Sequence, residues 1–212
     1  TKRCLEVIER ALQLSEQQQD PLIQARTRAS CLVRRVWAGG WNEGDAQACR
    51  DALAVIRQAG DPLLLATYLV DCNFMQWASS HYREAQRDAV NSLAILSERP
   101  SENPYLVFAY WLSQFTLPWS LLLLGQWGEA LRQIEAEIAI AEKNGDPYRP
   151  LTLRAYEAWV HFHAMDYAGV LAICQSVLPS VGATILSPWR RICLVLAGSA
   201  ATGLGDYQLS LI

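Results

Sequence analysis

The chain reads as all-α: antiparallel helix pairs stacked into an α-solenoid, about ten helices in 212 residues. Three observations predict this. A helix-resetting dipeptide recurs as Asp20-Pro21, Asp61-Pro62, Asn103-Pro104, Asp146-Pro147 and Ser187-Pro188, at intervals of 41, 42, 43 and 41 residues. An aromatic residue follows each proline, as Trp41, Tyr82, Trp127, Tyr167 and Tyr207, by 20, 20, 23, 20 and 19 residues. No period-two alternation suggests a competing strand anywhere between these markers.

Each dipeptide has a physical reading. Asp, Asn and Ser offer a short acceptor to the free N–H groups of a first helical turn. Proline suits the next position, where its missing N–H costs nothing and its φ is already helical. Gly60 and Gly145 precede two of the pairs, where the preceding helix should close on a left-handed residue. Three residues after each aromatic stands a small or modest side chain: Gly44, Ala85, Ala130, Val170 and Ser210. The unit is therefore proline, first helix, short turn, aromatic, second helix, repeated about every 42 residues.

Taken in order, residues 2–18 place Leu5, Ile8, Leu12 and Leu14 near helical spacing, as the second helix of a unit whose first half is missing. Leu22–Ala38 and Asn42–Gln58 form the first pair, the latter with an apolar stripe of Ala48, Ala52, Val55 and Ile56. Leu63–Ala78 and Tyr82–Ser97 form the second, with Ala85, Ala89, Leu93 and Leu96 as its stripe. Arg99-Pro100-Ser101-Glu102 is a looser link. In the third unit Pro118 falls inside the helix Tyr105–Leu124 and should kink or split it. Its partner Gly128–Lys143 carries Ala130, Ile134, Ile138 and Ala141. Tyr148–Ala164 and Ala168–Leu178 make the fourth unit, Leu178–Leu186 a loop, and Pro188–Leu204 the fifth first helix. Residues 207–212 only begin its partner. The expectation is a single repeat domain over 1–212, with units at 21–61, 62–103, 104–146, 147–187 and a partial 188–212, cut from a larger protein.

Composition narrows the function classes. A net charge of −3 leaves no electrostatic footprint for nucleic acid. The charge-free run from Asn103 to Gly128 is long enough to span a bilayer. It nevertheless contains Ser113, Gln114, Thr116, Pro118 and Ser120, and it falls where the repeat places a first helix. A central helix covered on both sides is apolar all round for that reason, so no membrane span is expected. No secretory leader begins at Thr1-Lys2-Arg3-Cys4, and the six cysteines lack C-x-x-C or zinc spacing. They read as small buried apolar residues of a reducing, cytoplasmic compartment.

Gly125-Gln126-Trp127-Gly128-Glu129-Ala130-Leu131, and less fully Tyr82-Arg83-Glu84-Ala85, resemble the turn and second-helix start of tetratricopeptide (TPR) repeats. Gly-Asp-Pro at 60–62 and 145–147 resembles the close of such a unit. The resemblance implies a right-handed superhelix and a scaffold or sensor role, and it supplies no catalytic residues. The unit of about 42 residues, against 34 in the standard repeat, is similar to arrays in bacterial LuxR-type activators and in ATPase- or cyclase-linked signalling regulators. The chain departs from the standard repeat where a glycine is expected inside the first helix: Leu32, Asn73, Pro118 and Ala158 stand there.

No phosphate loop, metal-ligand spacing or nucleophile elbow is present, so no enzyme, cofactor or metal site is expected. His161 and His163 are two apart and point to different faces of a helix; Glu157, four before His161, could pair with it. Arg26, Arg28, Arg34 and Arg35 make one first helix basic, suited to solvent, to salt bridges, or to an anion or acidic peptide. Polar residues that interrupt the first helices are the candidate ligand or partner contacts on a concave face: Arg28, Arg35, Asn73, Gln76, Gln114, Arg154, Glu157 and His161. They recur near 13, 9–10 or 6 residues before the aromatic. Trp37, Trp77, Trp119 and Trp159 read as packing. The expected function is a non-catalytic scaffold of a bacterial signalling or transcriptional regulator, binding a protein, peptide or neighbouring domain. The alternative is a small-molecule sensor controlling an adjacent nucleotide-binding switch.

Overall fold

The computed structural model describes residues 2–97, 104–180 and 187–206, with side chains 104, 105, 108, 187 and 188 outside that description. Its elements are α1 (Lys2–Ser15), α2 (Pro21–Trp37), α3 (Glu43–Gln58), α4 (Pro62–Ala78), α5 (Tyr82–Ser97), α6 (Pro104–Leu123), α7 (Trp127–Lys143), α8 (Arg149–His163), α9 (Tyr167–Val177) and α10 (Ser187–Gly203). Among the described residues there is no strand. Contacts divide the chain into two compact units, 1–124 and 125–212.

The dipeptides act as their chemistry requires. Asp20 Oδ1 accepts from the N–H of Leu22 and Ile23, and Asp61 Oδ1 from Leu63 and Leu64. Asp146 Oδ1 accepts from Tyr148 and Arg149 in the same way. Yet α8 starts at Arg149, two residues after Pro147. In α2 and α4 the first ladder bonds run from Gln24 N to Asp20 O and from Leu65 N to Asp61 O. The equivalent donor in α8 would be Pro150, which has no N–H, so the regular ladder is delayed. The cap on Asn103, the link 99–102, the aromatic Tyr207 and Ser210 lie outside the described residues.

First helices end alike. Gly39, Ser80, Gly125, Met165 and Gly205 all have positive φ, between 58° and 80°. Around Gly39 the bonds Gly39 N→Val36 O and Gly40 N→Arg35 O form a Schellman close, and the same pair recurs at Ser80–His81, Met165–Asp166 and Gly205–Asp206. Gly60 and Gly145, the expected left-handed residues closing second helices, have φ of 73° and 68°.

Tyr82, Trp127 and Tyr167 open α5, α7 and α9, and Ala85, Ala130 and Val170 behind them are fully buried. The first pair departs from this. Trp41 precedes α3 by two residues, Asn42 caps it, and Asp45 Oδ2 accepts from the Asn42 N–H. The longer turn moves the register: Gly44 is exposed and Ala46 takes the buried small position.

In 1–124 the first helices α2, α4 and α6 lie side by side, α2 and α4 each pack on their second helix, and α3 and α5 also touch the next first helix. Ala29, Leu32, Ala52, Ile56, Leu69 and Met75 form the core between α2, α3 and α4. In 125–212, α8 packs on α7, α9 and α10, and α9 on α10, around Ala155, Ala158, Val170, Cys174 and Cys193. The expected stripe of α7 (Ala130, Ile134, Ile138, Ala141) is buried throughout. In α3 and α5, Ala48, Val55 and Leu93 are half-buried while Leu53 and Ser92 go inside; Ser92 Oγ donates to Ala66 O at 2.8 Å.

Pro118 does not split α6, which is one continuous helix. Its buried hydroxyls return to its own backbone: Ser113 Oγ donates to Ala109 O, Thr116 Oγ1 to Ser113 O, and Ser120 Oγ to Thr116 O. That is how a charge-free helix carries these three hydroxyls against α4 and α5 without leaving them unsatisfied. Among the described residues no helix is long and apolar enough to cross a membrane.

A basic groove on the first-helix face as the candidate functional site

Positions 26, 30 and 34 are four apart, so Arg26, Ser30 and Arg34 stand on one stripe of α2. That stripe, with Thr27, Cys31 and Tyr68 of α4, lines an open groove of about 500 Å³. Arg34 Nη1 donates to Ser30 O at 3.0 Å, which ties the guanidinium to its own helix while leaving other N–H groups outward. Arg26 Nε reaches Tyr68 Oη at a long 3.5 Å. Asp71 is one turn along α4 from Tyr68; burial pushes its carboxyl up, and the Arg34 charge acts against that shift. The groove thus presents two guanidinium groups, two hydroxyl residues and one phenol, and among these only Tyr68 is buried. It can hold a carboxylate or another planar anion by forked hydrogen bonds.

The eight residues singled out from the sequence fall in three environments. Arg28 is exposed. Asn73 and Gln114 are buried at 0% and 1% exposure, and both ends of the Asn73 amide lack a hydrogen-bond partner among the described residues. The three residues six before the aromatic share a role. Arg35 Nη1 donates to Asp45 Oδ1 at 2.8 Å, Gln76 Nε2 donates to Asp88 Oδ2 at 2.7 Å, and His161 Nδ1 lies 2.8 Å from Asp166 Oδ2. In each case a polar side chain near the end of a first helix reaches a carboxylate at the cap or in the first two turns of its partner. These are latches within a helix pair. The first also reaches backward, since Arg35 Nη2 donates to Glu9 Oε1 of α1 at 2.6 Å. Spacing revealed the ladder; the aspartates that complete it stand at different offsets from the aromatic, so no single sequence pattern marks them.

No protein-family model and no curated protein matches the chain. Solved structures do. The kinesin light chain-like, nearly identical TPR-like repeats of Podosopora anserina superpose with a TM-score of 0.66 at 17% identity, covering 92% of each chain. BtubC (BKLC) from P. vanneervenii gives 0.66 at 14%, over 99% of this chain and 86% of that one. The fold is that of TPR-like helical repeats.

In the TPR-like pair α8–α9, Glu157 does not meet His161. Arg154 Nη1 donates to Glu157 Oε2 at 2.9 Å, and His161 turns to Asp166, whose carboxyl is held below its usual range by the Gly169 N–H and then by His161. Glycine at 169 makes room for this: a Cβ there would stand 2.4 Å from Asp166 Oδ2 and 2.9 Å from His161 Nδ1. Among the described residues no group of three or more His, Cys, Asp or Glu side chains could hold a metal ion. Trp77 packs against Trp119 and donates its Nε1–H to Ser120, whereas Trp37 rests on Phe74 with 67% of its surface exposed.

Proposed function

We propose that this TPR-like domain is a non-catalytic interaction scaffold, and that an acidic segment of a partner protein, a peptide or a neighbouring domain seats in the groove of α2 and α4. The groove carries the reading: Arg26 and Arg34 stand about two turns apart on one stripe of α2, beside Tyr68 and open to solvent. Exposed Arg28 adds charge to the same helix, and Arg154, exposed at 43%, with Glu157 offers a second polar edge on α8. The remaining candidates of residues 1–124, Arg35, Asn73, Gln76 and Gln114, lie inside or at the ends of the first helices, and His161 lies at the end of α8 in the other unit. The setting is a cytoplasmic bacterial signalling or transcriptional regulator, supported by the repeat length of about 42 residues. In such a protein a partner that prefers one curvature of the array shifts the state of an attached domain.

A labelled oligoglutamate peptide tests this by fluorescence anisotropy. Binding should weaken with added salt. It should fall about tenfold or more in the Arg26→Ala, Arg34→Ala double variant, as expected for losing charge-assisted bonds. Equal affinity for an oligoglutamine peptide, or indifference to the double variant, rejects the groove.

The second reading, a sensor whose small-molecule effector controls an adjacent nucleotide-binding switch, rests on size. The groove's volume of about 500 Å³ falls within the roughly 300–1,000 Å³ of small-ligand sites. A dicarboxylate that raises the melting temperature, where the peptide does not bind, selects the sensor.

A further inference from the structure

Four of the six cysteines face one another in two pairs, and both pairs sit at the same kind of joint. Cys49 of α3 meets Cys72 of α4, with the Sγ atoms 2.7 Å apart. Cys174 of α9 and Cys193 of α10 are buried together in one apolar cluster. Each pair joins the second helix of one repeat to the first helix of the next, once in each compact unit. All four are free thiols with at most 2% exposure.

Packing alone does not explain the first pair. Two sulfurs in ordinary apolar contact stand farther apart, and a bond between them needs only a further approach to about 2.05 Å. Cys49 and Cys72 also line a small cleft with room for about one water-sized molecule, about 10 Å³, its mouth shared with Arg50, Gln76, Ser79 and His81. A peroxide, little larger than water, can reach the sulfurs at this cleft, which is otherwise enclosed. Hydrogen bonding to Cys49, then burial, hold the Cys72 thiol well above its usual range.

We propose that Cys49–Cys72 is a reversible disulfide site, closed by a peroxide, that clamps the joint between the first and second repeats; Cys174–Cys193 is its counterpart in the other unit. The Cys49 sulfur attacks one oxygen of hydrogen peroxide and the O–O bond breaks. This leaves Cys49 as a sulfenic acid and releases one water, formed with the thiol proton. The Cys72 sulfur then attacks the Cys49 sulfur, the S–OH bond breaks, and hydroxide leaves with the Cys72 proton as a second water. Two thiols are oxidised by two electrons and the peroxide is reduced to two waters. Thiol reductants reverse the step.

The closed loop spans 23 residues, so oxidation should raise the melting temperature of the full chain by roughly 5–10 °C, reversibly. The experiment treats the reduced chain with hydrogen peroxide and maps peptides without reduction. The expected result is a linked Cys49–Cys72 peptide lacking two hydrogens, lost on adding a phosphine reductant. Cys49→Ser and Cys49→Ala should abolish both the linked peptide and its share of the thermal shift. Mapping of the wild-type chain decides the matter even where a variant folds poorly. The proposal is overturned when exposed Cys4 is oxidised while Cys49 and Cys72 are both recovered as thiols or as unlinked oxyacids. The Cys174–Cys193 peptide, read in the same digest, stands or falls separately.

Discussion

Arg35 shows how much one side chain can organise. Its side chain is 12% exposed, and its guanidinium joins Glu9 of α1 to Asp45 of α3, while Asp45 in turn receives the Asn42 N–H that starts α3. Asp45 is itself 4% exposed, so removing its cation leaves a buried carboxylate with its main partner gone. Arg35→Ala should cost about 3 kcal/mol, within the range for a broken buried pair. Denaturant unfolding measures it. Arg35→Lys should recover only part, because one ammonium cannot fork between two carboxylates on different helices. A loss within experimental error would mean that Asp45 finds another donor. The same register in the next pair holds a neutral Gln76, whose Oε1 is buried without a partner, so the latch survives a change of chemistry while its strength does not.

At the scale of the element, every first helix described to its end turns on one left-handed residue, and two of these are not glycine. Ser80 has φ of 61° and Met165 of 58°. An L side chain is strained there by roughly 1–2 kcal/mol. Met165 is 71% exposed, so its thioether contributes little packing in return. Met165→Gly should therefore stabilise the protein by about 1 kcal/mol, offset in part by the greater freedom of glycine in the unfolded chain. Thermal melts of the two proteins side by side check this; a lower melting temperature would show that the methionine makes contacts worth more than the strain. The glycine-closed turns were legible in the sequence. These two were not, because serine and methionine carry no signal for positive φ and are held there by the helices on either side. The delayed start of α8 and the shifted register of α3 are of the same kind: the capping residues were plain, but Pro150 and the extra turn residues decided where the ladder could begin.

For the molecule as a whole, energetics should follow nearest neighbours. Each helix described here packs on those one or two places along the chain, the arrangement in which stability is a sum of local terms. Ile56, fully buried between α2, α3 and α4, tests this. Ile56→Ala should cost about 3 kcal/mol, and hydrogen exchange should show the loss of protection concentrated in α2–α4 with α8–α10 unchanged. Uniform loss across all the described helices would show one cooperative block instead.

By itself the sequence determined the class of fold and the position of nearly every helix, because proline, short polar caps and buried small residues act over a few bonds and leave their mark locally. Among the eight polar candidates it marked a common height on the first helices but could not say which side chains face solvent. Only the tertiary structure decided that Arg35, Gln76 and His161 latch helix pairs, that Arg26 and Arg34 share a groove with Tyr68, and that cysteines 23 residues apart touch. Those outcomes depend on which faces two packed helices turn to each other, and that is fixed by the fit of many side chains together.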